Sequence, residues 1–180
     1  SNFFSTALFT LYILFATRDL GLTPAVIGIT FSIGNVAGIV GALVAARMAS
    51  KIGVGRTIVA SSFISGVGLI PVALATREFA LPLLVLSGML TSFGMPVYNI
   101  NQVSLRQAIT AQRLQGRMNA TMRFLVWGTM PLGGLAGGAL GEALGLRGAI
   151  GVAAVGGLLA FMWVLFSPVR SLRQIPEPVA

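Results

Sequence analysis

Long apolar runs separated by short polar gaps organise this chain. A helix rises about 1.5 Å per residue, so roughly 20 apolar residues cross the hydrocarbon core of a bilayer. On that scale the sequence predicts six spans, at about 2–17, 24–46, 57–75, 81–105, 119–140 and 149–166. The first is short and begins directly at Ser1, with no initiator Met and no leader pattern. That predicts a longer protein whose front part lies upstream. Pro24 suits a first helical turn, and Ser167-Pro168 suits a stop. The β-branched residues in these runs do not indicate strands. An open sheet edge is not viable in lipid, and a barrel shows short alternating segments. The expected fold class is an all-α membrane protein, with a helical bundle over 1–168 and a tail over 169–180.

The charges divide the gaps into two kinds. Asp19, Glu78 and Glu142 each lie near one arginine, Arg18, Arg77 or Arg147, in gaps that are close to neutral. The alternate gaps are basic only, with Arg47, Lys51 and Arg56, then Arg106, Arg113, Arg117 and Arg123, then Arg170 and Arg173. Basic residues are retained on the cytoplasmic side. Both ends of this segment are therefore expected in the cytoplasm, where Glu177 is the only acid. Arg123 lies about a turn inside its span and is expected to snorkel back to the interface.

Composition narrows the classes. Hydrophobic residues make up 56% and charged residues 9%, against about 25% charged in an ordinary soluble domain. Such a chain cannot cover its own surface with polar groups, so the lipid bilayer is its expected partner. The net charge of +8 does not point to nucleic acid, because the basic residues sit in gaps and not along a polar face. The chain has no Cys and no His, which removes disulfides and the usual metal ligands. No cofactor and no metal are expected. There is no nucleophile–base pair and no phosphate-binding glycine loop, so an enzyme is not expected.

Polar residues inside the spans are the remaining candidates for chemistry. Asn35 lies near the middle of the second span. Ser92, Asn99 and Gln102 in the fourth are spaced to share one helix face, with Tyr98 and Asn101 beside it. Trp127 and Met130 lie beside Pro131 in the fifth. Asn35, Ser92, Tyr98, Asn99, Gln102, Trp127 and Met130 are candidates for the wall of a cavity binding an amphipathic molecule, or for interhelical hydrogen bonding and packing. Gly34, Gly38 and Gly41, and Gly133, Gly134, Gly137, Gly138 and Gly141, give the small-residue spacings that let helices approach closely. Pro71, Pro96 and Pro131 lie inside spans and are expected to loosen them. Pro96, Pro131, Gly133 and Gly134 are the hinge candidates. No carboxylate lies in the middle of a span, so no proton-coupling site is visible in this chain.

The run Tyr98-Asn-Ile-Asn-Gln-Val-Ser-Leu-Arg, followed by Arg113-Leu-Gln-Gly-Arg-Met-Asn119-Ala and Arg123-Phe-Leu-Val-Trp-Gly-Thr-Met-Pro-Leu-Gly-Gly, closely resembles the C-terminal half of major facilitator superfamily transporters, in the enterobactin-exporter-like branch of efflux proteins. The segment from Gly41 through Lys51 and Gly53 to Arg56 resembles a degenerate copy of the superfamily's Gly-x-x-x-Asp-Arg-x-Gly-Arg loop, with Ser50 at the acidic position. The resemblance implies a bundle of two inverted three-helix repeats, half of a twelve-helix fold. It implies a cavity lined by spans one, two, four and five, with three and six outside. It implies a multi-pass protein of the bacterial cytoplasmic (inner) membrane.

The resulting expectation is a secondary transporter fragment, a proton-coupled exporter (an antiporter) of drug-like compounds or a siderophore that works by alternating access. Its expected partners are the substrate, protons and an N-terminal six-helix half. Gly41, Lys51, Gly53, Arg56, Arg113, Gly116, Arg117 and Arg123 are the candidates for a cytoplasmic gate or loop motif. Some of Arg47, Lys51, Arg56, Arg113 and Arg117 would pair with acids of the other half, or attract anionic lipid headgroups. The alternatives are a six-span channel and a non-transporting structural or regulatory subunit.

Overall fold

The computed structural model describes residues 1–176; Glu177 and the last residues of the tail lie outside the described residues. Helix α1, Asn2–Leu14, continues as a π-helical turn over Phe15–Asp19. Helix α2 covers Pro24–Ile52; the Thr23 hydroxyl accepts a hydrogen bond from the Val26 N–H, and Pro24 occupies the first turn. Gly53, at φ 94°, turns the chain directly into α3, Val54–Val67. Helix α4, Ile70–Leu74, carries Pro71 in its first turn. Pro71 therefore begins a helix after a break at Gly68-Leu69, and does not kink a continuous one as the sequence suggested.

Helix α5 covers Ala80–Ala108 and runs through Pro96. A 3-10 turn at Gln112–Leu114 leads into α6, Gln115–Leu159, which runs through Pro131. The backbone leaves the helical region in α6 at Gly145 (φ 73°, ψ 167°), so the helix is two legs joined by a kink. The expected fifth and sixth spans fall on either side of that glycine. Helix α7, Phe161–Leu165, and a 3-10 turn at Pro168–Ser171 complete the chain. Among the described residues there is no strand. By length and composition four stretches can cross a membrane: Pro24–Ile52, Val54–Leu74, Ala80–Ala108 and Gln112–Leu165.

Several helices run past the apolar length read from sequence. α2 extends to Ile52 and α5 to Ala108, while α6 starts at Gln115. Arg47, Lys51, Arg106 and Arg117 thus sit on terminal helical turns and not in loops. Hydropathy marks the part of a helix in hydrocarbon; backbone hydrogen bonding continues into the polar zone.

Glycine rows set the packing. An ideal Cβ on Gly34 of α2 would lie 3.0 Å from the carbonyl carbon of Gly88 in α5, and one on Gly38 would lie 3.2 Å from the Ser92 carbonyl oxygen. Gly41 backs onto the main chain of Phe93. In the second row Gly133 and Gly137 of α6 back onto the main chain of Phe3 and Ala7 in α1, and Gly141 faces Leu11. In both rows the residue numbers rise together, so α2 runs parallel to α5, and α1 parallel to the first leg of α6. Close backbone approach is how helices gain packing energy in lipid, where no hydrophobic drive acts between them.

These directions sort the chain ends of the helices. The basic loops gather at one end, where the Val54 and Gly55 N–H groups donate to the carbonyls of Arg173 (3.3 Å) and Leu172 (2.9 Å). The near-neutral loops gather at the other. Phe15, Val72, Leu84 and Ile150, fully buried, belong to the hydrophobic core cluster there. The arginines at that end do not simply neutralise their sequence neighbours. Arg77 Nε donates to the Asp19 carbonyl oxygen at 2.9 Å, linking two loops. Arg147 donates to the carbonyls of Ala75 (2.8 Å) and Ala73 (3.4 Å) at the end of α4, and its guanidinium lies 5.3 Å from the Phe15 ring centre. A cation at unsatisfied C-terminal carbonyls completes that helix end.

Candidate functional site

A cavity of about 1010 Å³ lies in the bundle, open on one side where Phe9, Asn35, Met95, Arg123 and Trp127 are exposed. It extends from Tyr12, Thr30 and Leu84 near the packed end to Arg106, Gln107 and Asn119 at the basic end. Its walls come mainly from α1, α2, α5 and the first leg of α6, with Ser62, Ser65 and Val72 from α3 and α4, and Gly157 from the far leg of α6.

Six of the seven sequence candidates for the cavity wall line it: Asn35, Ser92, Tyr98, Asn99, Gln102 and Trp127. Met130 does not. The helical periodicity of α5 explains the grouping. Ser92, Asn99, Gln102 and Arg106 recur at intervals of three, four or seven residues, which is one face of a helix. Asn101 faces elsewhere. It is buried between helices, donating to the Val97 carbonyl of its own helix at 2.8 Å and to the Ala45 carbonyl of α2 at 3.4 Å.

On α6, Asn119, Arg123 and Trp127 are spaced by four residues and all line the cavity. The Arg123 guanidinium lies 5.3 Å from the Trp127 ring centre, a cation–π contact with the residue one turn further into the helix. Arg106 differs from its reading as a loop charge. Its Nε is buried and has no hydrogen-bond partner among the described residues. Among the described lining residues there is no carboxylate, and no group of acids, Cys and His is placed to hold a metal.

The gate and loop candidates are dispersed over the basic end. Lys51, Arg56, Arg113, Gly116 and Arg117 are exposed, Gly41 is buried at the α2–α5 contact, and Gly53 makes the turn between α2 and α3. Ser50, at the position of the loop motif's acid, donates to the Arg47 carbonyl at 2.9 Å within its own helix. Of the hinge candidates, Gly133 is packed against α1. Gly134 has only the Thr10 hydroxyl near its missing Cβ, at 3.5 Å.

Tyr12, Thr30, Arg106 and Asn119 line the cavity without having been singled out from sequence. Only Arg106 and Asn119 left a signal: each continues a polar stripe by one further turn. The arrangement provides an open, largely apolar chamber in the bundle, with hydroxyls and amides along its length and guanidinium groups toward one end. No curated protein and no solved structure matches the chain. The Major Facilitator Superfamily model matches residues 1–179, and the chain, a multi-pass membrane protein, belongs to that superfamily.

Proposed function

We propose that this chain is the C-terminal half of a secondary transporter that exports small organic molecules by alternating access, in the enterobactin-exporter-like branch. The observation that carries the reading is the cavity of about 1010 Å³, at the upper end of the range for small-molecule sites. Its Asn35, Ser92, Asn99 and Gln102 side chains offer hydrogen bonds without fixed charge, which suits drug-like compounds or a siderophore.

The helix pairing supports six spans arranged as two inverted repeats. The spans are α1 with its π turn, α2, α3 with α4, α5, the leg of α6 before Gly145, and the leg after it with α7. Exchanging spans one to three with four to six turns the α1–α6 pair into the α5–α2 pair. The same exchange turns the α5–α3 contact, where Gly94 meets Ser61 and Ser65, into a contact of the sixth span with the first, where Gly156 meets Phe4. In this reading the basic end faces the cytoplasm of a bacterial inner membrane. Protons drive export, and the coupling carboxylate belongs to an N-terminal six-helix half that completes the cavity. Arg113, Arg117, Lys51 and Arg56 pair with acids of that half when the cytoplasmic gate is closed, and Pro96, Pro131, Gly133 and Gly134 absorb the movement.

The test is accumulation of a panel of dyes and siderophores in cells that express the full-length protein, with and without a proton gradient. Lower accumulation that is lost when the gradient is collapsed supports the proposal. Unchanged accumulation across the panel refutes it. Charge reversal at Arg117, rescued by an acid-to-base change in the other half, is the expected signature of the gate.

A further inference from the structure

We propose that the cavity selects an amphipathic anion, whose carboxylate, sulfonate or phosphate head is held toward the basic end by Arg106 and Arg123. This deepens the proposed function and rests on its reading of the cavity as the substrate path.

The cavity holds two arginines and no carboxylate among its described lining residues. Guanidinium groups inside a membrane bundle are costly and are retained where they meet a partner or a polar path. Arg106, a partly buried side chain, has a buried Nε with no acceptor among the described residues. A buried N–H donor without an acceptor carries a desolvation penalty even when the rest of its group stays accessible. An oxyanion relieves that penalty, and the planar guanidinium fork matches a carboxylate or phosphate with two parallel hydrogen bonds. The exposed Arg123 guanidinium lies 5.3 Å from the Trp127 ring centre, a cation–π contact that leaves its five N–H donors for an acceptor.

The neighbours fit the same occupant. Gln102 and Tyr98 lie one and two turns before Arg106 on α5, and Asn119 lies one turn before Arg123 on α6. All three line the cavity and supply neutral donors around the charged ones. Further from the basic end no charged side chain lines the walls; Phe9, Phe31, Leu69 and Leu84 stand there beside the hydroxyls of Tyr12, Thr30 and Ser87. That gradient suits a molecule with an anionic head and an apolar or aromatic body. It disfavours a cation, which would meet two like charges on its way in.

The experiment uses purified full-length protein and two dyes of similar ring system and opposite charge, carboxyfluorescein and rhodamine 6G, with binding read by fluorescence polarisation. The wild type is expected to bind carboxyfluorescein at least tenfold more tightly. Arg106→Gln and Arg123→Gln are each expected to weaken that binding about tenfold or more, the usual effect of losing one charge-assisted hydrogen bond, and to leave rhodamine 6G binding unchanged or tighter. Arg106→Lys keeps the charge and retains most of the anion binding, which separates loss of charge from loss of fold. Arg173→Gln, at the tail, leaves both dyes unaffected. Equal or better binding of rhodamine 6G by the wild type overturns the inference, as does unchanged anion binding in both Gln variants. The first of these is also the result expected if acids elsewhere in the protein already neutralise the arginines. Transport in proteoliposomes separates the two levels. Anion binding without export sinks the exporter reading and leaves the anion site standing. Export of rhodamine 6G without anion preference does the reverse.

Discussion

Gly137 and Gly138 are adjacent in α6, yet they should respond oppositely to the same substitution. A Cβ on Gly137 would lie 2.9 Å from the Ala7 Cα and 3.1 Å from its carbonyl carbon, and closer still to the carbonyl oxygen. Carbon atoms pack at about 3.5–4.0 Å, so α1 must move outward by roughly half an ångström or more. Overpacking of this kind costs about 1–3 kcal/mol. Alanine recovers about 1 kcal/mol of helix propensity. The net expectation for Gly137→Ala is a loss of about 1 kcal/mol. A Cβ on Gly138 meets nothing within 4 Å, so Gly138→Ala keeps only the propensity term and gains about 0.5–1 kcal/mol. The assay is unfolding of the full-length protein in mixed micelles, with SDS as denaturant and tryptophan fluorescence as readout. The two variants should differ by about 1–3 kcal/mol, with Gly138→Ala the more stable. Equal stabilities, within the usual error of about 0.5 kcal/mol, would refute the packing of α1 on α6 through this row.

Three other substitutions probe separate parts of the fold. Arg147→Ala removes the donors to Ala73 and Ala75 and the contact with Phe15; it should cost about 1–2 kcal/mol and speed amide exchange in α4, measured by hydrogen–deuterium exchange. Gly145→Ala places a side chain at φ 73°, ψ 167°, a region essentially reserved for glycine, which costs about 1–3 kcal/mol, seen as a lower unfolding midpoint; an unchanged midpoint argues against the kink in α6. Asn101→Ala deletes the link from α5 to the Ala45 carbonyl, and about 0.5–1.5 kcal/mol of stability should go with it in the same titration.

The membrane-spanning character and the polar face of α5 were legible in the sequence because both follow from periodicity alone. Ser92, Asn99 and Gln102 lie where helical spacing puts them. The glycine rows were legible as close-packing surfaces, though not their partners, since Phe3, Ala7 and Phe93 carry no mark of the contact. Arg106 was missed as a cavity residue because α5 outruns its apolar segment, so a hydropathy window assigns its last turn to a loop; Asn119 stood at the very start of the expected fifth span and was not singled out there. The break at Gly145 fell in the expected gap marked by Glu142 and Arg147, but its form did not show: the chain stays helical in hydrogen bonding on both sides and turns at one glycine instead of passing through a loop. Arg147 reaches carbonyls more than 70 residues away, and no local pattern encodes that pairing. Tyr12 and Thr30 look like ordinary interior residues of apolar helices until the neighbouring helices define the chamber.

The central claim is that this chamber is the transport path, open in turn to each side of the membrane. The chain has no cysteine, so a single Ser92→Cys on the chamber wall, in a cysteine-free full-length background, reports access directly. The measurement is its labelling by a membrane-impermeant maleimide in right-side-out and inside-out vesicles. Alternating access predicts labelling from both sides, with the balance shifted by a transported substrate. Labelling from neither side, or from one side only under every condition, would contradict it.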